Sequence, residues 1–270
     1  MIFNVEVELP SGKKCRVREL TNREYLTLIK FAQNKDFIGL TAFFEDIYIE
    51  PHLHIFDRLY LLIYVRMIYI DSSITLNLDS KDIDISLDTL LAKLEANYVD
   101  LEKKFKENNI EITLDIPCLT YYDQIEDLYI STIKCIKLQD NVVEFNTLSK
   151  IDQQEIINHL PASIFNIIKK YIIDIQDNLL QVNLIEENQT LGVQSLDVNI
   201  LNNGVMQFIN SLYSTDLKGF YTLIYMFQNT ILPGSNYFFE MSPIETQIIV
   251  NAHKKRVSEE NKKLQNQNQG

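Results

Sequence analysis

Phe3-Asn4-Val5-Glu6-Val7-Glu8-Leu9, Pro10-Ser11-Gly12-Lys13, Cys15-Arg16-Val17-Arg18 and Thr21-Asn22-Arg23-Glu24 follow one another at the start of the chain. Phe3, Val5, Val7 and Leu9 face one way and Asn4, Glu6 and Glu8 the other, the two-residue period of a half-buried strand. Pro10 to Lys13 is a turn, and alternation resumes at Cys15, so the segment is predicted to be a β-hairpin. Thr21 and Glu24 stand at the spacing of a capping box, in which each side chain satisfies the other's free backbone N–H. The chain therefore opens as hairpin, then helix, with Tyr25, Leu28, Ile29 and Ala32 forming an amphipathic stripe.

Working outward, a second helix is expected after Asn34-Lys35-Asp36, carrying Leu40, Phe43, Phe44 and Ile47. Pro51 is read as the start of a third, with Phe56, Leu59, Tyr60, Ile63, Tyr64 and Met67 on a broad apolar face. In the middle of the chain, 74–78, 83–87, 110–114, 129–136 and 142–145 alternate as strands, with a helix over Leu90 to Phe105. Helical periodicity returns after Ser149, entering at Asp152, passing His159-Leu160-Pro161 and running strongly from Ala162 to Leu180. Leu196 to Ile200 reads as a strand, Asn203 to Tyr213 and Asp216 to Asn229 as helices, and Pro233-Gly234-Ser235-Asn236 as a break. Ser242 and Pro243 sit at N-cap and N1 of a last helix that passes Lys254-Lys255-Arg256 and ends in a polar tail expected to fray. The fold class is α+β and predominantly α-helical: an N-terminal β-hairpin, a helical body with an antiparallel β-rich insert, and a long C-terminal helix. The expected divisions are 1–71 (hairpin plus helices), 72–146 (β-rich insert with one helix) and 147–270 (helical, packing with 1–71 as one domain or standing apart).

Composition restricts function. The 270 residues are 46% hydrophobic and 23% charged, an ordinary globular profile. The net charge of −12 argues against nucleic-acid binding, because an acidic surface repels phosphate. Seven glycines and six prolines fall well below the usual total of ~12%, so glycine-built phosphate loops are not expected. Three cysteines with no C-x-x-C pair read as small buried hydrophobes in a reducing compartment. His52 and His54 lie two apart just after Pro51 and read as solvent-facing polar residues of a helix start, not as metal ligands. The most apolar run, Leu59 to Ile70, is interrupted by Arg66 and is shorter than the ~20 residues of a spanning helix, and no secretory leader is visible. Acidic pairs such as Asp82/Asp84 and Glu126/Asp127 are weighed as carboxylate sites and read as solvated faces. No catalytic, cofactor-binding or metal residue is assigned.

The candidate partner contacts are aromatic and basic. Fourteen Tyr and 14 Phe include the adjacent pairs Phe43-Phe44, Tyr121-Tyr122 and Phe238-Phe239, whose members diverge and so cannot share one core face. Tyr60 and Tyr64 join them from the third helix, and Lys254, Lys255 and Arg256 supply a docking stripe for an acidic partner.

The hairpin turn, Val17-Arg18-Glu19-Leu20-Thr21-Asn22-Arg23-Glu24-Tyr25, the Phe56-Asp57-Arg58-Leu59-Tyr60 helix, the His159-Leu160-Pro161 entry and the Ser242-Pro243-Ile244-Glu245 helix together resemble the baseplate hub and hub-assembly proteins of T4-type contractile-tailed bacteriophages. The resemblance implies a non-enzymatic structural or assembly component of the tail baseplate that contacts other baseplate or tail-tube proteins. It implies neither nucleic acid, membrane insertion nor a small-molecule substrate as partner. Assembly in the host cytoplasm and then a place in the virion baseplate would follow. A transient assembly chaperone absent from the particle and an enzyme with an unrecognised carboxylate site are the alternatives.

Overall fold

The computed structural model describes residues 4–50, 52–78, 81–98, 102–107, 110–138, 141–177, 181–183, 195–214, 217–233 and 237–267. The opening hairpin is β1 (Asn4–Glu8) paired antiparallel with β2 (Lys14–Arg18), Val5 opposite Val17 and Val7 opposite Cys15. Gly12 closes its turn at φ +78°, a left-handed backbone that costs a side-chain-bearing residue more than glycine. Helix α1 (Asn22–Asn34) starts at the expected capping box: Thr21 N donates to Glu24 Oε2 at 2.9 Å and Glu24 N to Thr21 Oγ1 at 3.2 Å. Helices α2 (Phe37–Ile47) and α3 (Ile55–Tyr69) follow.

The third helix starts later than expected, at Ile55, and Pro51 lies outside the described residues. His54 is its N-cap: Nδ1 accepts from Asp57 N at 3.1 Å, and the imidazole is buried, not solvent-facing. This helix is buried nearly all round, 12 of its 15 residues including Asp57, Arg58 and Arg66, which makes it the interior element of the molecule. Its polar ends are answered from elsewhere in the chain. Ser11 in the hairpin turn donates from Oγ to Asp57 Oδ2 at 2.6 Å and from N to Oδ1 at 3.3 Å. Ile55 N donates to Pro117 O at 2.6 Å, and Tyr213 Oη, fully buried, donates to Leu62 O at 2.7 Å.

Residues 72–146 hold β3 (Ser73–Leu78) and β4 (Lys81–Ser86) as a hairpin, then α4 (Leu87–Asn97). An antiparallel sheet follows in the order β5 (Lys103–Glu107), β6 (Ile110–Leu114), β7 (Ile133–Leu138) and β8 (Asn141–Glu144). Two expectations fail here. The helix read over Leu90 to Phe105 stops at Asn97, and Phe105 is in a strand facing Ile112. The strand read over 129–136 is helix α5 (Ile125–Thr132) before it becomes β7, so the insert contains two helices where one was expected. Leu128 and Thr132, four apart, are buried on its inner face against α6 (Lys150–His159) and α7 (Ala162–Ile175). Ser131 and Thr132 spend their hydroxyls on Leu128 O, each at 2.8 Å, which removes the polar objection to burying them.

The short pair β9 (Gln181–Asn183) and β10 (Ser195–Asp197) precedes α8 (Gly204–Tyr213) and α9 (Leu217–Met226), which runs into a π turn at Phe227–Ile231. Gly234, Ser235 and Asn236 of the expected break lie outside the described residues, as do Leu180 and Asp216. The last helix, α10 (Pro243–Gln267), opens on a second capping box, Ser242 N to Glu245 Oε2 at 3.0 Å and Glu245 N to Ser242 Oγ at 3.3 Å. It is helical to Gln267, and residues 268–270 of the polar tail expected to fray lie outside the described residues. The main apolar cluster is continuous from Val7 to Tyr213 and includes Ile74, Ile85, Ile112 and Leu114 of the middle segment. A second cluster joins Tyr25 and Ile29 of α1 to Phe220, Ile224, Phe227, Phe238 and Met241. Buried Asn22 ties the same elements: Nδ2 donates to Phe238 O at 2.8 Å and Thr246 Oγ1 at 2.6 Å, and its N–H to Met241 O at 2.7 Å.

Asp57→Ala removes the acceptor for two Ser11 donors at a fully buried position, and is expected to lower the unfolding free energy by about 2–3 kcal/mol in urea titration.

Candidate partner-contact surface

Each adjacent aromatic pair is divided between interior and surface. On α2, Phe44 is buried with its ring 5.0 Å from that of Tyr213, and Phe43 is half-buried, edge-on to Phe44 at 5.7 Å. Between β6 and α5, Tyr122 is buried and donates from its hydroxyl to Ile200 O at 2.8 Å. Its backbone is held by Asn203, whose Oδ1 accepts from Tyr122 N at 3.0 Å and whose Nδ2 donates to Tyr122 O at 2.9 Å. Tyr121 is half-buried, its ring 5.9 Å from Phe37 and its hydroxyl donating to Asp123 Oδ1 at 2.7 Å. Phe238 sits at the centre of the second cluster, 5.3 Å from Phe227 and 5.9 Å from Phe220. Phe239 is half-buried beneath the Arg23 guanidinium, 5.9 Å away. On α3, Tyr60 is buried and Tyr64 half-buried. The rings within reach of a partner are thus Phe43, Tyr64, Tyr121 and Phe239, and they stand on different elements.

Lys254, Lys255 and Arg256 are exposed on α10. The root of this helix is anchored by buried Thr246 and Val250 and half-buried Ile249 and His253. From 254 to 265 every side chain is exposed, so at 1.5 Å per residue about 20 Å of helix stands clear of the body. Its charge runs opposite to that of the chain: Lys254, Lys255, Arg256, Lys262 and Lys263 against Glu259 and Glu260. Val257 and Leu264, 38% and 57% exposed, continue at seven-residue spacing the stripe that Val250 buries at the root. Ile244 and Ile248 of α10 and Tyr221 and Tyr225 of α9 are further exposed apolar groups that the sequence reading passed over. Their signal was present: α9 carries more apolar residues than one inward stripe of Phe220, Ile224 and Phe227 can use.

The densest buried polar group, at the hairpin turn, holds structure together. Asp57 accepts two hydrogen bonds from Ser11 and lies between it and His54, so the Ser11 proton goes to a carboxylate and has no route to the imidazole. With Nδ1 accepting, the His54 proton is on Nε2, 3.2 Å from Asp57 Oδ2 without a well-directed hydrogen bond. The ring stacks on Tyr98 at 5.8 Å. Burial pulls the His54 pKa down and outweighs the nearby Asp57 charge. Burial pushes the Cys15 thiol up to about 11, with Glu50 and Asp57 adding to the shift, and it raises Cys118 likewise. Neither thiol is activated. Among the described residues no three His, Cys, Asp or Glu side chains are grouped to hold a metal, and no helix is long and apolar enough to cross a membrane.

Comparison with known proteins gives one match: the family model described as "T4 bacteriophage base plate protein" covers residues 2–202. No curated protein and no solved structure matches the chain. The matched span ends just before α8, leaving α8, α9 and α10 outside it.

Two outcomes are expected. Truncation after His253 removes residues 254–265, all of them exposed, so the urea midpoint should move by less than the equivalent of ~0.5 kcal/mol. His54 has a native pKa below its ordinary 6.5, so the unfolded chain takes the proton first; its contribution is complete above about pH 6.5 and is lost as pH falls through the lowered value. His54→Asn, which keeps a capping side chain, should flatten unfolding free energy against pH across that window.

Proposed function

We propose that this chain, which belongs to the T4 bacteriophage base plate protein family, is a non-enzymatic component of the hub region of a contractile phage tail and works by protein–protein contact. The observation that carries this reading is the family match over residues 2–202. Its partners are other baseplate or tail-tube proteins, met first in the host cytoplasm during assembly and then in the finished baseplate. The contact surface consists of Phe43, Tyr64, Tyr121 and Phe239 on the body and the basic projecting half of α10. An acidic body with a basic extension favours a partner that presents acidic surface to Lys254, Lys255 and Arg256. Contacts of this rim kind set association rate and salt dependence more than dissociation.

Mass spectrometry of purified particles tests the reading directly: peptides of this chain at fixed stoichiometry to other baseplate proteins are expected. Recovery with tail proteins from infected cells but never from particles would replace it with a transient assembly chaperone. Lys254→Glu/Lys255→Glu/Arg256→Glu in one chain should slow incorporation at least tenfold at low salt while leaving thermal unfolding unchanged.

A further inference from the structure

Arg66 is in the last turn of α3 and only 8% exposed, yet its guanidinium has no hydrogen-bond or ion-pair partner among the described residues, with Nε and Nη1 both sealed from solvent. A buried cation without a counter-charge is costly, and the carbonyl end of α3 offsets only part of that cost. The side chain lines a cleft of about 300 Å³ between α1, α3, α9 and α10, together with Asn22, Asp71, Phe220, Leu223 and Gln247. Asp71 does not neutralise it: its Oδ1 accepts from Ser73 N and Oγ at 3.1 and 3.4 Å, and it forms no ion pair with Arg66. Asn22 is 1% exposed and spends Nδ2 on Phe238 O and Thr246 Oγ1, while its Oδ1 accepts nothing.

We propose that this cleft is a receptor for a carboxylate borne on a polypeptide segment of a partner protein, gripped by the Arg66 guanidinium. With Nε and Nη1 sealed, Nη2 is the nitrogen left to donate a charge-assisted hydrogen bond to a carboxylate oxygen. A residue within a peptide carries an apolar side chain beside its carboxylate, which a free phosphate does not. Phe220 and Leu223 form an apolar wall for the neighbouring side chain. The inference rests on the protein-contact reading above for the source of the carboxylate, not for the chemistry of the cleft.

The test uses the purified full chain and three probes at constant ionic strength: N-acetyl-leucine, sodium acetate and inorganic phosphate. N-acetyl-leucine joins carboxylate, amide N–H and apolar side chain, and is expected to bind saturably with Kd of ~1 mM by calorimetry and to raise the melting temperature. Its uncharged analogue N-acetyl-leucinamide should do neither. Arg66→Met should abolish binding and, by replacing a buried unpaired cation with an apolar chain, raise the ligand-free melting temperature. Gln247→Glu places a negative charge at the exposed rim and should weaken binding about tenfold with the fold unchanged, which decides the matter should the Met variant not fold. Equal affinity in wild type and Gln247→Glu, or no saturable response to N-acetyl-leucine, would overturn the proposal. A response to phosphate alone would assign the cleft to a free anion and overturn the polypeptide source. Since no particle is involved, a chain missing from virions that still binds N-acetyl-leucine refutes the baseplate placement alone, and a virion protein that does not bind refutes the cleft alone.

Discussion

A helix buried on nearly every side imposes a requirement on the rest of the chain: its polar groups must be met by other elements or not at all. Helix α3 is that helix, and most of the architecture is the set of answers to it. Its first turn takes Ser11 from the opening hairpin and Pro117 O from the middle segment, and its own Arg58 reaches Leu53 O at 2.7 Å and Glu45 at 3.1 Å. Tyr213 meets it from α8. Placing one apolar rod at the centre joins hairpin, sheet and late helices into one apolar cluster, since each has only α3 and its neighbours to cover its inward face. Arg66 is the group at its far end that receives no answer from the described chain.

What was legible in the sequence were features decided within a few residues. The capping boxes at Thr21 and Ser242, the hairpin with Gly12, and the strands at 74–78 and 110–114 are local chemistry and stand as read. Residues 129–132 read as strand because Tyr129-Ile130-Ser131-Thr132-Ile133 alternates and is rich in β-branched residues, so its local pattern is that of a strand. Packing of Leu128 and Thr132 against α6 and α7 decides for helix, and no short window contains those partners. His54 was placed in solvent for the same reason: its burial is set by Tyr98 and Asp57 together with a hairpin more than forty residues earlier.

The division of the ring pairs is half legible in the sequence. Adjacency of two rings correctly implied that they part company, but not which one goes inward; Phe44, Tyr122 and Phe238 are taken by Tyr213, Ile200 and Phe227 respectively. In the sequence Arg66 registered only as an interruption of an apolar run. Whether a buried charge is paired depends on three other helices, so its lack of a partner among the described residues is a property of the assembled fold alone.

The ties between α1 and residues 238–246 span sequence separations of 216 and 224. During synthesis α1 meets α2 early, but Tyr25 and Ile29 must wait for Phe220, Phe227 and Phe238. At ribosomal rates of ~5–20 residues per second, that interval is on the order of 10–40 s. Throughout it the nascent chain displays an uncovered apolar stripe next to a completed hairpin, and loss of residues 238–246 would make that exposure permanent. The order of translation thus makes residues 220–246 the segment whose arrival covers this stripe.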